Sequence, residues 1–270
     1  MRFLVLFIAI LYSNVAFTQD PLFLFVSFSD GVTIDNRTPR IGELIDETSK
    51  VVFIPKRGYA LVIAREGEAY HLTSTISVDR VAKKLNQNNW LDGIGTTQRP
   101  KGCSAEIELI GVPHNQIAEI IGDSILVAIK TNRVQVNFPF IIEYKSMFNE
   151  ILFSDSTNAT WKVQRVNFNN EQAVIFGVTM GKYRSDEHLI KLVNTEQKEK
   201  LIREISKISE VGQSEILKLA LFQFHNLYYD QVFLLHKFTV LNHRPENIIL
   251  DAYVKNLREK YQFNLFDFHK

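Results

Sequence analysis

Residues 195–241 read TEQKEKLIREISKISEVGQSEILKLALFQFHNLYYDQVFLLHKFTVL, and here the hydrophobic period of the chain changes from two to 3.6. Leu201, Ile205 and Ile208 form the stripe of an amphipathic helix, with Glu196–Lys200 and Glu199–Arg203 as supporting charge pairs. Thr195 stands where a helix cap belongs, Glu196 lies in the first turn, and Gly212 suits the stop. A second helix is expected from Ser214 to about Asn226 and a third from about Asp230 to Leu241. Pro245 opens a fourth, with Ile249, Tyr253 and Leu257 on one stripe.

Upstream of this stretch the pattern is that of strands. From Phe23 to about Leu85, β-rich runs such as Val51-Val52-Phe53-Ile54 and Tyr59-Ala60-Leu61-Val62-Ile63 are separated by turns at Lys56-Arg57-Gly58 and Glu66-Gly67-Glu68. Val81 to Leu85 would close this unit as a helical turn. Asn86 to Lys101 is rich in Asn, Gln, Gly and Thr, the composition of a linker. A second β segment follows from about Ile107 to Tyr183. Its strand candidates are 125–129, 138–144, 151–153, 161–166 and 173–180, and Phe140, Ile142 and Tyr144 alternate as half-buried strands do. The expected fold is therefore α+β. A small all-β domain spans 19–85, a linker 86–106, a β-sandwich-like domain 107–190, and a helical hairpin or bundle 195–270.

Three resemblances attach to these segments. Gly42-Glu43-Leu44, Val51 to Ile54, Gly58-Tyr59-Ala60-Leu61, Gly67-Glu68 and Ile76-Ser77-Val78 together resemble a FecR-like β domain, a module of exported proteins of Gram-negative bacteria. Only the fold is implied, because the sigma-binding segment and membrane span of the iron-signalling members have no counterpart here. The second segment resembles a fibronectin- or immunoglobulin-like sandwich with Trp161 as its core anchor, without the cysteine pair of antibody domains. Ala220, Tyr228-Tyr229-Asp230 and Pro245 resemble one tetratricopeptide-like helical hairpin and its next helix, although Val232 and His236 depart from that pattern. A single such repeat does not bury its own face, so it needs a lid.

The N-terminus reads as an address. Arg2 is followed by an apolar run from Phe3 to Tyr12, and Ala16 and Thr18 suit a signal-peptidase site that leaves Gln19 first. The apolar stretch is short for a membrane span, so residues 1–18 are expected to be a signal peptide. The protein is then expected in the periplasm or at the surface of a Gram-negative cell. Lys+Arg at 31 against Asp+Glu at 30 gives a formal net charge of +1, which provides no global field for nucleic acid or anionic lipid. The single cysteine, Cys103, excludes an intrachain disulfide framework.

Catalytic and cofactor motifs are absent from the sequence: there is no Gly-x-Ser-x-Gly, P-loop, dinucleotide fingerprint or His-Glu-x-x-His. Cys103 with His114 is a weak thiol–imidazole pair, and the spacings among His225, His236 and His243 do not bring three ligands onto adjacent helical turns. Glu66, Glu68, Lys56 and Arg57 read as solvated turn residues. Tyr59, Tyr70 and Trp90 are the residue types of a sugar platform, but two of them lie on expected strands. No enzyme, cofactor or metal is expected. What stands out is the window 222–268, which holds eleven of the 31 aromatic residues, about twice its share by length. Val232-Phe233-Leu234-Leu235 turns apolar side chains to every side of one helix, so a surface beyond the flanking helices must cover it. That surface is either the second β module or another chain. If it is another chain, Phe222, Tyr228, Tyr229, Phe233, Phe238 and Tyr253 are the candidate contacts, made to another envelope protein or in self-association. The functional expectation is a non-enzymatic protein-interaction scaffold, with an envelope glycan-binding module as the alternative.

Overall fold

Strand β1 (Phe23–Phe28) explains how the chain is layered, because both of its faces are buried. Phe23 and Phe25 point into the first β unit, while Leu24 and Val26 point out of it onto the helices. β5 (Ala60–Ala64) beside it divides in the same way: Ala60, Val62 and Ala64 inward, Leu61 and Ile63 toward the helices. A strand buried on both faces reads as a continuous apolar run, and each fully buried aliphatic side chain contributes about 1.5–3 kcal/mol.

The computed structural model describes residues 21–46, 48–78, 107–110, 117–131, 138–241, 244–245, 247–263 and 266. The expected signal peptide, the turn at 81–85, the linker, Trp90, Cys103, His114 and His243 lie outside the described residues. The first unit also holds β2 (Thr33–Ile34), β3 (Leu44–Ile45), β4 (Val51–Phe53), β6 (Ala69–Leu72) and β7 (Ile76–Ser77). Its sheets have the orders β3-β1-β5-β6 and β2-β4-β7, and they close over Phe23, Phe25, Ile34, Val52 and Val62.

The second unit is a two-sheet sandwich. Its strands are β8 (Ile107–Ile110), β9 (Ile117–Ile120), β10 (Ser124–Thr131), β11 (Phe140–Lys145), β12 (Ile151–Thr157), β13 (Trp161–Arg165), β14 (Ala173–Met180), β15 (Tyr183–Arg184) and β16 (His188–Leu192). One sheet runs β13-β10-β8 and the other β12-β11-β14-β16-β9, with β15 paired to β14. Phe140, Ile142, Tyr144, Val174, Phe176 and Val178 fill the space between them, in the alternation the sequence shows. β9 joins β16 in parallel, a pairing not legible from short runs.

Four helices among the described residues make the middle layer: α1 (Thr195–Ser209), α2 (Ser214–Phe224), α3 (Tyr228–Val240) and α4 (Ile248–Lys260). Their caps differ from expectation. Asn194 rather than Thr195 caps α1, accepting the Gln197 N–H at 2.9 Å, and Asn247 rather than Pro245 leads α4. The left-handed turn after α1 falls on Gln213 (φ 60°), not on Gly212. One apolar core joins Leu24, Val26, Leu61 and Ile63 of the first unit, Ile110, Leu126 and Ala128 of the sandwich, and the faces of all four helices.

The lid of the helices is thus supplied within the chain, and by both β units. α3 packs on β9 and β10, α2 on β1 and β5, and α4 on β5. α3 is not buried all round, however. Val232 and Leu235 are in the core, whereas Phe233 and Leu234 are half-buried and the Lys237 ammonium lies 4.5 Å over the Phe233 ring. Trp161 also departs from its expected place. It faces the helices instead of the sandwich core, with its ring 5.2 Å from that of His236 on α3.

Candidate interaction site

The expected contact residues divide by burial. Tyr229, Phe238 and Tyr253, at 2%, 3% and 1% exposure, belong to the intrachain cores, because the β units already cover the faces that carry them. Phe222, Tyr228 and Phe233 are half-buried: Phe222 against Val193, Leu201 and Leu227, and Tyr228 against the sandwich with its hydroxyl donating to Asn226 at 2.8 Å. The six do not form one exposed patch.

A different element carries exposed apolar side chains together. The turn between β11 and β12 displays Phe148 at 86% exposure, Met147 at 54% and, at the start of β12, Ile151 at 61%. Its backbone is tightly held. Ser146 is buried, and its Oγ accepts the N–H of Phe148 at 3.1 Å and of Glu150 at 3.2 Å. The Ser146 N–H donates to Glu150 O and the Asn149 N–H to Ser146 O, with Asn149 in the left-handed region (φ 66°) that asparagine tolerates. Turn tips usually carry polar residues, and a cluster of large apolar side chains on a pinned turn has the composition of an interface core. The sequence expectations do not include this turn, although an apolar Met-Phe pair between two strands and next to an Asn turn is an available signal.

The aromatic platform expected of a glycan module is not assembled. Tyr70 is buried, Tyr59 is stacked on Phe224 at 5.6 Å, and Trp161 is turned to the helices. An open groove of about 900 Å³ does lie on the first unit, lined by Thr33, Asp35, Asn36, Lys50 and the 48%-exposed Phe53. Asp35 there already accepts the backbone N–H groups of Lys50 and Val51, which hold its carboxyl below the ordinary value.

Charged and polar groups gather where the layers meet. At the seam of the first unit with the helices, Tyr59 donates to Glu204 of α1 at 3.2 Å, and Ser27 Oγ lies 3.3 Å from the same hydroxyl. His225 Nε2, at the end of α2, lies 3.0 Å from the other Glu204 oxygen, both side chains being nearly buried. Burial pushes Tyr59 up to about 12. Burial is the largest single influence on Glu204 and raises it, but the hydrogen bonds from His225 and Tyr59 and the nearby charges of His225 and Lys200 together outweigh it, so this carboxyl sits below its ordinary value. Asn256 of α4 donates to the carbonyls of Glu66 and Gly67 at 2.8 and 3.1 Å. Gly67 (φ 78°) is there because a Cβ would fall 2.3 Å from the backbone of Ala252.

At the seam with the sandwich, Asp230 of α3 accepts the N–H groups of Ile121 and Gly122 at 3.0 and 2.9 Å, and burial pushes its carboxyl up to about 6. A Cβ at Gly122 would meet this carboxylate at 2.8 Å. Within the helical layer, Gln231 is fully buried. It donates to Leu219 O at 2.9 Å and accepts from Tyr261 at 2.6 Å, while Tyr253 donates to Gln223 at 2.8 Å. Such a satisfied network fixes one register of α2, α3 and α4.

These clusters join layers. Glu68 accepts from Tyr70, His236 is buried beside Trp161, and the Lys260 ammonium, pushed down to about 8 by burial, is sealed from solvent. Among the described residues no group of three His, Cys, Asp or Glu side chains is placed to hold a metal ion, and no helix is long and apolar enough to cross a membrane. No protein-family model and no curated protein matches the chain, so the resemblances to FecR-like, sandwich and tetratricopeptide-like modules rest on the quoted residues alone.

Proposed function

We propose that this chain is an exported, non-enzymatic envelope protein that works as a protein-interaction scaffold, docking a protein partner through the β11–β12 turn. The observation that carries the reading is Phe148 at 86% exposure, beside Met147 and Ile151, on a turn pinned by Ser146. Aromatic and Met side chains are enriched in interface cores, and a pre-ordered turn loses little entropy on docking. The three-layer body supplies the rigid mount. Export rests on the signal-like residues 1–18. The test is affinity capture from envelope extract with the mature chain and its Phe148→Asp variant, read by mass spectrometry. A single recurrent protein captured by the first and lost with the second supports the reading, and equal recovery by both counts against it.

The glycan-binding alternative draws support from the groove beside Phe53. Retention of the chain on purified cell-wall polymer, abolished by Phe53→Ala and untouched by Phe148→Asp, would favour it.

A further inference from the structure

We propose that the seam between the first β unit and the helices is an acid-sensitive joint, which loosens on acidification while the joint at Asp230 holds the sandwich to the same helices. The groups that decide this are gathered around Phe224. His71 on β6 lies with its ring 4.5 Å from Phe224 and 5.7 Å from Tyr59, and the ring of His225 lies 4.8 Å from that of Phe224. The titratable groups at the seam are thus His71 and Tyr59 from the first unit, Glu204 from α1 and His225 from the end of α2, with Lys200 acting on Glu204.

Glu204 serves His225 and Tyr59 together, whereas the buried Nε2 of His71 has no hydrogen-bond partner among the described residues. Closing the seam therefore removes the Nε2 of His71 from water without offering it an acceptor, and sets the ring near a second imidazole. Burial first, and His225 second, hold His71 below its ordinary value. The closed seam accordingly binds fewer protons than the open one. Its stability is full above the ordinary histidine value near pH 6.5 and is lost as the pH falls through the lowered one. The lowered Glu204 acts in the same direction at lower pH.

Asp230 acts in the opposite direction. It faces the peptide N–H groups of Ile121 and Gly122, and its carboxyl is raised by burial, so protonation relieves the buried charge. Acid thus weakens one joint and spares the other. One layer of helices links the two.

Distances between nitroxide labels in the full chain, on a Cys103→Ser background, test this. One pair joins the first unit to α1 (Lys56→Cys with Lys198→Cys), and a second joins the sandwich to α1 (Asn170→Cys with Lys198→Cys). All three positions are exposed. On going from about pH 7.5 to about pH 5, the distance distribution of the first pair should broaden reversibly while the second stays unchanged. In His71→Gln, which keeps a polar side chain but does not titrate, the broadening should disappear. An unchanged first pair, equal broadening of both pairs, or undiminished broadening in His71→Gln would overturn the proposal.

Discussion

Replacing Asp230 by asparagine should change the stability of the chain by an amount that depends on pH, with a predictable sign. The carboxylate is 6% exposed, accepts two peptide N–H groups from the β9–β10 turn, and has its carboxyl pushed from 3.8 to about 6 by burial. A folded-state value above the unfolded one means that the native chain holds more protons across this window. Its contribution is full below pH 3.8 and is lost as the pH rises through about 6. Between about pH 4.5 and about pH 7 the integrated loss is about 2 kcal/mol, and the variant, whose amide does not titrate, would lack it. The substitution also leaves one N–H facing an amide donor, at roughly 1–3 kcal/mol independent of pH. The expected result is that Asp230→Asn is destabilising throughout, and by about 2 kcal/mol more at the acidic end. Paired urea unfolding curves of wild type and variant at the two pH values measure this directly. The comparison cancels every other titrating group that the substitution leaves alone. An equal penalty at both values, or a larger one at neutral pH, would refute the buried-carboxylate argument.

Gly67→Ala should be severe, at about 3 kcal/mol or more, because a Cβ would fall 2.3 Å from the Ala252 backbone at a residue with φ 78°. Rigid docking of this turn on α4 predicts that limited proteolysis of the variant releases the first unit early; a cleavage pattern and rate equal to wild type would contradict it. Trp161→Ala should cost about 2 kcal/mol, less than a fully buried tryptophan would, since the ring is only half-buried between β13 and α3; an unchanged melting temperature would count against that placement. Fragment 195–270 alone should be aggregated or molten, because Ile216, Leu219 and Ile249 are buried in a core completed by both β units. A soluble, sharply melting monomer would contradict the three-layer packing.

The parts legible in the sequence are those governed by local periodicity. Phe140, Ile142 and Tyr144 alternate and are buried, and Ile249, Tyr253 and Leu257 mark the buried stripe of α4. The α+β order follows from these periods. What the sequence hides depends on pairing at long range. Whether Leu24 and Leu61 face an inner core or a second layer makes no difference to a local reading, which sees only an apolar residue. Trp161 reads equally well as a sandwich anchor or a helix contact, because alternation sets the face without saying what covers it. Asp230 reads as part of a Tyr-Tyr-Asp motif; its role comes from Gly122, more than a hundred residues upstream. Glu204 on α1 and His225, just past the end of α2, lie 21 residues apart, a spacing with no motif attached. Met147 and Phe148 are the exception, a local signal of apolar residues at a turn.

The central claim, a rigid scaffold that docks a protein through the β11–β12 turn, is tested most directly by calorimetric titration of the captured partner. The full chain is compared with Phe148→Asp at matched stability. Phe148 is 86% exposed, so the substitution should leave folding stability within about 0.5 kcal/mol. Loss of a central aromatic anchor should weaken binding at least about tenfold, or about 1.4 kcal/mol. Equal affinity of the two proteins for that partner would contradict the account.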